Sequence, residues 1–244
     1  MIVISKKRIL CVTSILCITL FVCNLLTNIN NRVNLVNTVE TVAQPVTNKV
    51  VVIDARTWCA RWTAHKVATG TTEAETNLKI ALKLQGLLEQ SGATVVLTRS
   101  DENAIYDLDS KTLKQKKISD IHNRVKIGNE AQADIFVSIH LNKIPQEQYW
   151  GWQCFYKNGD EQSIKLAKSL QQNLNEAIGK DNKRVAMKLD NVYIIKHVEI
   201  PISIVECGFL SNSEEEKLLL DDAYQDKLAW GIYNGINDYF LNLA

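Results

Sequence analysis

The chain has 244 residues, 28 Lys and Arg against 27 Asp and Glu, and a formal net charge of +1. That length allows one sizeable domain plus an appendage, and the even charge balance gives no support to nucleic-acid binding, which leaves a basic footprint. Gly and Pro number only 10 and 3, which predicts long regular elements with compact loops and argues against an all-β design with many tight turns.

The N-terminus departs from that ordinary composition. Lys6, Lys7 and Arg8 precede an uncharged apolar run over residues 9–26, ILCVTSILCITLFVCNLL. Its length is near the roughly 20 residues a spanning helix requires, and a basic stretch before an apolar core reads as an export signal. No small-x-small cleavage site follows, so the reading is an uncleaved anchor over residues 1–26, although cleavage stays open. The positive-inside rule then places the remainder outside the cytoplasm, membrane-anchored or secreted. Residues 27–48, rich in Asn, Thr and Val with no sustained period, read as a stalk. Cys11, Cys17 and Cys23 fall in the apolar run, leaving Cys59, Cys154 and Cys207 beyond it. Three scattered cysteines make neither a disulfide framework nor a thiolate zinc site, and they read as buried thiols, with pairing of two of them left open.

The folded domain is assigned to residues 49–244. KVVVIDA (49–55) is a continuous apolar strand with Asp54 near its end, and residues 56–70, RTWCARWTAHKVATG, have neither helical nor strand period. Residues 72–91 form an amphipathic helix with Leu78, Ile80, Ala81, Leu84, Leu87 and Leu88 on one face and Gly92 as its stop. A strand at 94–98, a polar loop to Lys111 and a helix over 112–132 with Ile118, Ile121, Val125 and Ile127 inward come next. ADIFVSIHLN (133–142) holds an apolar run long enough for one buried strand and ends in His140. Strands are expected at 151–156, 192–195 and 202–206, and helices at 161–178, 214–220 and 223–242. Strands alternating with helical patterns mean βαβ units, so the expected fold is α/β, a single domain with a mainly parallel twisted sheet flanked by helices.

Three strand ends carry chemistry: Asp54 leads into residues 56–70, one strand delivers His140, and another ends in Glu206. In an open α/β sheet ligands sit outside the carboxyl ends of the strands. A carboxylate closing an apolar strand such as ISIVE is expensive to bury without a partner. Glu206 therefore either meets backbone N–H groups of a neighbouring helix or faces a crevice beside His140. Glu73 and Glu75 open the first helix on the same side of the sheet, where acids also complement the helix dipole. His140, Glu73 and Glu206 suit a metal-assisted hydrolase, since nitrogen and oxygen ligands fit zinc. From the residues alone, two ligands and a base fall one short of the usual three protein ligands.

The blocks VVVIDA, TTEAETNLKIALKL, GATVVLTRSDE, NRVKIGNEAQADIFVSIHLN and SIVECGFLSNSEEEKLL, in this order, resemble the zinc-dependent N-acetylmuramoyl-L-alanine amidases of the type 3 class. The resemblance runs from about residue 49 to the C-terminus. With HLNKIPQEQYWGWQCFYK and the single anchor, it is nearest to the germination-specific amidases of spore cortex. It implies the amidase type 3 fold, a zinc cofactor, peptidoglycan as the macromolecular partner in cell wall or spore cortex, and a site outside the cytoplasm, such as between the forespore membranes. Carried over residue by residue, it implies Glu73 and His140 as zinc ligands and Glu206 as the catalytic carboxylate. Zinc would polarise the lactyl amide carbonyl and supply hydroxide, and Glu206 would protonate the leaving L-alanine amine. Arg124 and Asn129 match family positions near the site, in structural roles. The sequence does not identify an activating partner.

At one place the chain departs from the family pattern. After VVIDA the family has Gly-His-Gly-x-x-Asp-Gly, whose His supplies the remaining zinc ligand, whereas this chain has Arg56-Thr57-Trp58-Cys59-Ala60-Arg61-Trp62. Read one base later, Trp58 followed by Cys59 must encode Gly, as must Trp62 followed by Thr63. In the same frame Arg56, Thr57 and Arg61 have codons that give Gly, His and Asp. The expectation is a local frameshift restored before Thr71, with poor zinc binding by the chain as written. Neither His65 nor Cys59 is expected to rescue the missing ligand. The alternative is a non-catalytic wall-binding module that keeps the fold. A nucleotide-binding α/β domain would need a Gly-rich loop after the first strand, which this sequence lacks. The basic stretch at 111–117 reads as a solvated helix face.

Overall fold

The structure, a computed structural model, describes residues 18–24, 44–57 and 72–243. Residues 18–24 are helical and exposed. The rest of the expected anchor, most of the stalk, and residues 58–71 with Cys59 and His65 lie outside the described residues. No helix among the described residues is long and apolar enough to cross a membrane. The chain divides into a unit ending at Val42 and a second beginning at Ala43; the second holds the domain described below.

Six strands form one sheet in the order β2-β1-β3-β6-β4-β5. They are β1 (Val50–Ala55), β2 (Thr94–Leu97), β3 (Ile135–Asn142), β4 (Gln153–Tyr156), β5 (Met187–Lys188) and β6 (Ile202–Phe209). β1 pairs in parallel with β2 and β3, and β3 with β6, while β4 joins β6 antiparallel. The helices are α1 (Glu73–Gln90), α2 (Leu113–Glu130), α3 (Glu161–Ile178), α4 (Tyr193–His197), α5 (Ser213–Leu220) and α6 (Asp222–Leu241).

The strand sequences explain why both faces are covered. In β1, β3 and β6 apolar residues point to both faces of the sheet, as expected of parallel strands buried between helices. Val51, Ile53, Ile135, Val137 and Val205 pack against Leu84 of α1, Leu170 of α3 and Ile232 of α6. Val52, Phe136 and Ile204 form a smaller core on the opposite face with Val125 of α2 and Ile194 of α4. Burying a large apolar side chain stabilises by roughly 1.5–3 kcal/mol, so the fully buried Phe136 and Leu84 anchor their respective faces. Start signals fix the helix entries. The Thr72 side chain accepts from the Glu75 N–H at the head of α1, and Thr112 and Gln115 make a reciprocal capping box on α2. The turn ahead of β1 is tied down as well: Val46 is fully buried and Asn48 N–H donates to Gly92 O at 2.9 Å.

The expected α/β class and parallel sheet centre are present. The strand expected over 192–195 is instead the one-turn helix α4. Its adjacent buried residues Ile194 and Ile195 serve the small core, and so short an apolar run does not distinguish strand from helix. Ile118, expected inward, is 43% exposed. α2 buries Asp120, Arg124, Val125 and Gly128, so its inward stripe is largely ionic. The two-residue strand β5 was not foreseen; it pairs with β4 at the sheet edge.

Candidate active site

Alternation along the strands places the polar residues. Asp54, Ser138, His140 and Glu206 share the face of Val52, Phe136 and Ile204, and the register sets Asp54 opposite Ser138 and His140 opposite Glu206. All lie toward the carboxyl ends of β1, β3 and β6. Glu73 reaches the same place from the first turn of α1, which follows residues 58–71.

Asp54 is fully buried yet ionised. Burial alone would raise its pKa, but Arg124 Nη1 at 3.0 Å, Ser138 Oγ at 2.5 Å, neighbouring His140 and Thr98 Oγ1 at 2.8 Å together hold it below the ordinary carboxylate value. Arg124 is clamped in turn by Asp120, whose Oδ2 accepts from its Nε at 3.1 Å. An ionised Asp54 only accepts, so the Ser138 hydroxyl must donate to it. Ser138 Oγ then accepts from His140 Nε2, 2.9 Å away. The relay fixes His140 as the Nε2–H tautomer with a lone pair on Nδ1. Burial, the largest influence, together with the nearby Arg56 charge keeps the imidazole below its usual pKa despite Glu206, so this neutral form is the relevant one.

The Nδ1 lone pair points at a group of acceptors. Glu206 Oε1 lies 3.5 Å from it. Glu73 is nearly buried, and desolvation first, then the Glu206 charge, raise its pKa to about 7 against the opposing pull of Arg56. Glu73 Oε1 and Glu206 Oε2 are buried without a hydrogen-bond partner. Between these groups stands Arg56, whose Nη1 is 3.3 Å from Glu73 Oε1 and 3.4 Å from His140 Nδ1. The contact to Glu73 is ionic. His140, Glu206, Arg56, Asp120 and Arg124 border a cleft of about 350 Å³, whose outer wall carries Lys117, Leu189 and Asn191.

The three sequence-derived site residues, Glu73, His140 and Glu206, therefore converge, and Glu75 does not: it pairs with Lys79 on the surface of α1 at 3.1 Å. Arg124 and Asn129 are structural, Arg124 through Asp54 and Asp120, Asn129 by bridging His197 O and Glu199 N–H. Cys154 and Cys207 are free buried thiols. Sequence reading missed Arg56 and the Asp54–Ser138 relay. Ser138 was discoverable, because it precedes His140 by two residues on a strand and so shares its face.

The donors present do not fit a zinc centre with three protein ligands. Among the described residues no group of three or more His, Cys, Asp or Glu side chains could hold a metal ion. Thr57, at the place of the expected histidine, is buried and donates its hydroxyl to Asp120 Oδ2 at 2.7 Å. The guanidinium of Arg56 already sits on Glu73 Oε1 and His140 Nδ1, the residues that the resemblance implies as ligands.

A cleft at the carboxyl ends of parallel strands, with an imidazole beside two carboxylates, fits a hydrolase domain that works by proton transfer. The chain belongs to the N-acetylmuramoyl-L-alanine amidase family, which matches over residues 63–238. It is 34% identical over 168 residues to the germination-specific N-acetylmuramoyl-L-alanine amidase of Bacillus subtilis, covering 69% of this chain and 70% of that one. Its fold is similar to that of the CwlD amidase from Clostridioides difficile, solved in complex with the GerS lipoprotein. That match has a TM-score of 0.76 and 40% identity, and covers 81% of this chain and all of the other. The catalytic domain of CwlV from Bacillus (Paenibacillus) polymyxa superposes with a TM-score of 0.65 at 30% identity, over 80% of this chain and 99% of that one.

Proposed function

We propose that this chain is a peptidoglycan hydrolase of the cell wall or spore cortex that cleaves the amide between N-acetylmuramic acid and the L-alanine of the stem peptide. The observation that carries the reading is Glu206: its Oε1 is 3.5 Å from a histidine lone pair and its Oε2 is buried without a partner. A carboxylate so placed takes a proton from the attacking water as oxygen bonds to the lactyl carbonyl carbon. It returns that proton to the alanine nitrogen as the C–N bond breaks. Glu73 and His140 are the metal-facing pair of the cleft. The Asp54–Ser138 relay holds His140 in the tautomer that turns a lone pair toward the reacting groups.

The family match over residues 63–238 favours this catalytic reading over a wall-binding module. The codon relationship at residues 56–62 supports a frameshift restored before Thr71, with Gly-His-Gly as the native reading. Likeness to a germination-specific amidase supports a role in spore cortex, and hence a location outside the cytoplasm behind the N-terminal anchor. Likeness to an amidase solved in complex with a lipoprotein supports a lipoprotein as the partner class.

Two experiments test the reading. Nucleotide sequence across codons 54–71 decides the frame, and codons unable to give Gly-His in the shifted frame would sink that part. Digestion of purified peptidoglycan by the frame-restored chain, its codons 56–70 read one base later so that Gly-His-Gly stands at 56–58 and Asp-Gly at 61–62, should expose new N-terminal L-alanine, and adding Glu206→Gln should abolish it. Equal release with and without Glu206→Gln would overturn the assignment.

A further inference from the structure

We propose that Arg56 is the resident cation of this site, standing on the metal-facing atoms and excluding a divalent ion from the chain as written. The inference rests on the reading of Glu73 and His140 as the metal-facing pair. Three acceptor atoms converge here: Glu73 Oε1, Glu206 Oε1 and, by the tautomer that Ser138 imposes, the His140 Nδ1 lone pair. Acceptors gathered this closely, with Nδ1 and Glu206 Oε1 3.5 Å apart, favour a cation beside them. Arg56 Nη1 meets two of the three, at 3.3 and 3.4 Å.

The backbone that carries the side chain is held in place. Arg56 N–H donates to Ile139 O at 3.1 Å, and Arg56 O accepts from Arg99 Nη2 at 3.1 Å and from Asn77 Nδ2 at 3.4 Å. The strand end is pinned on both sides, with the guanidinium directed at the acceptors. An arginine stays charged at any working pH and cannot step aside by losing a proton. A divalent ion on the same two atoms would share contact distance with a like charge. The guanidinium also supplies the counter-charge that the buried Glu73 carboxylate otherwise lacks, so its removal destabilises the site unless another cation enters.

The test is cation replacement, read as thermal unfolding of the full chain without any use of turnover. The parent chain, Arg56→Ala and Arg56→Gln are melted in chelator, in magnesium and in zinc. The parent midpoint is expected to be the same in all three. Both variants melt lower than the parent in chelator and rise by about 3–6 °C when zinc is at ten times its Kd, with no rise in magnesium. Arg56→Lys, which keeps the charge, behaves as the parent, and His140→Ala added to either neutral variant removes the zinc response. Arg56→Gln keeps the stem that packs at the strand end, so the comparison survives a failure of Arg56→Ala to fold. A zinc-specific rise in the parent, no rise in the neutral variants, or a rise that survives loss of His140 would each overturn the proposal. Because no substrate is used, these outcomes are independent of whether the frame-restored chain hydrolyses peptidoglycan.

Discussion

Ser138 Oγ stands 2.9 Å from Nε2 of His140, two residues further along the same strand. Since the same hydroxyl donates to Asp54 at 2.5 Å, the serine dictates which imidazole nitrogen carries the proton. Ser138→Ala should leave the Nε2–H and one Asp54 lone pair unsatisfied in a buried setting, at a cost of about 1–3 kcal/mol in urea unfolding. Nitrogen chemical shifts of the His140 ring should report Nε2–H in the parent and a mixture of tautomers in the variant. A parent protonated on Nδ1 would contradict the relay.

The Asp54–Arg124 pair joins β1 to α2 beneath the site. Neutralising Asp54 as Asn leaves Arg124 buried with only Asp120, and breaking such a pair costs about 3–5 kcal/mol at neutral pH. The pH dependence has a definite sign. The folded pKa of Asp54 lies below the unfolded value of 3.8, so near that pH the unfolded chain binds more protons and stability rises with pH. The contribution is complete above the unfolded pKa and is lost as pH falls through the folded one. Urea midpoints of parent and Asp54→Asn should therefore be far apart at pH 7 and approach each other in strong acid. A gap that stays constant down to pH 2 would contradict the pairing.

Gly235 marks where α6 meets α3 backbone to backbone. A Cβ there would lie 2.7 Å from Leu170 Cα, an atom that cannot swing aside. Gly235→Ala should cost about 1–3 kcal/mol by overpacking, despite the higher helix propensity of alanine. Gly86→Ala on the open face of α1, where nothing lies within 4 Å, should be neutral to stabilising. Thermal midpoints of the two variants check this, and equal shifts would contradict the packing.

Glu206→Gln preserves shape and removes the proton carrier. In the frame-restored chain it should lower turnover by about 10²–10⁴-fold while leaving the unfolding midpoint close to that of its parent. A comparable fall from Glu75→Gln, whose carboxylate pairs with Lys79 on the surface, would show that the effect is not specific to the cleft.

Much of this was legible in the residues because burial writes itself as pattern. The apolar runs of β1, β3 and β6 announced a covered parallel sheet, and their polar ends announced His140 and Glu206. Glu73 was distinguishable from Glu75 only by family resemblance, since either acid serves a helix N-terminus. The Asp54–Ser138–His140 relay needed the parallel register of β1 on β3, a long-range fact that no local window carries. Arg56 was read as a frame error in a segment without period, and only the guanidinium contacts to Glu73 and His140 show that its charge falls on the site. The one-turn helix α4 was misassigned because four apolar residues fit either period.

The most direct test of the account follows the oxygen of water. Muropeptides digested by the frame-restored chain in ¹⁸O-water should give products whose label sits on the lactyl carboxylate of muramic acid, alongside an unlabelled peptide beginning with L-alanine. Label on a sugar reducing end, or on a carboxylate within the peptide, would mean that a different bond is cut and would contradict the central claim.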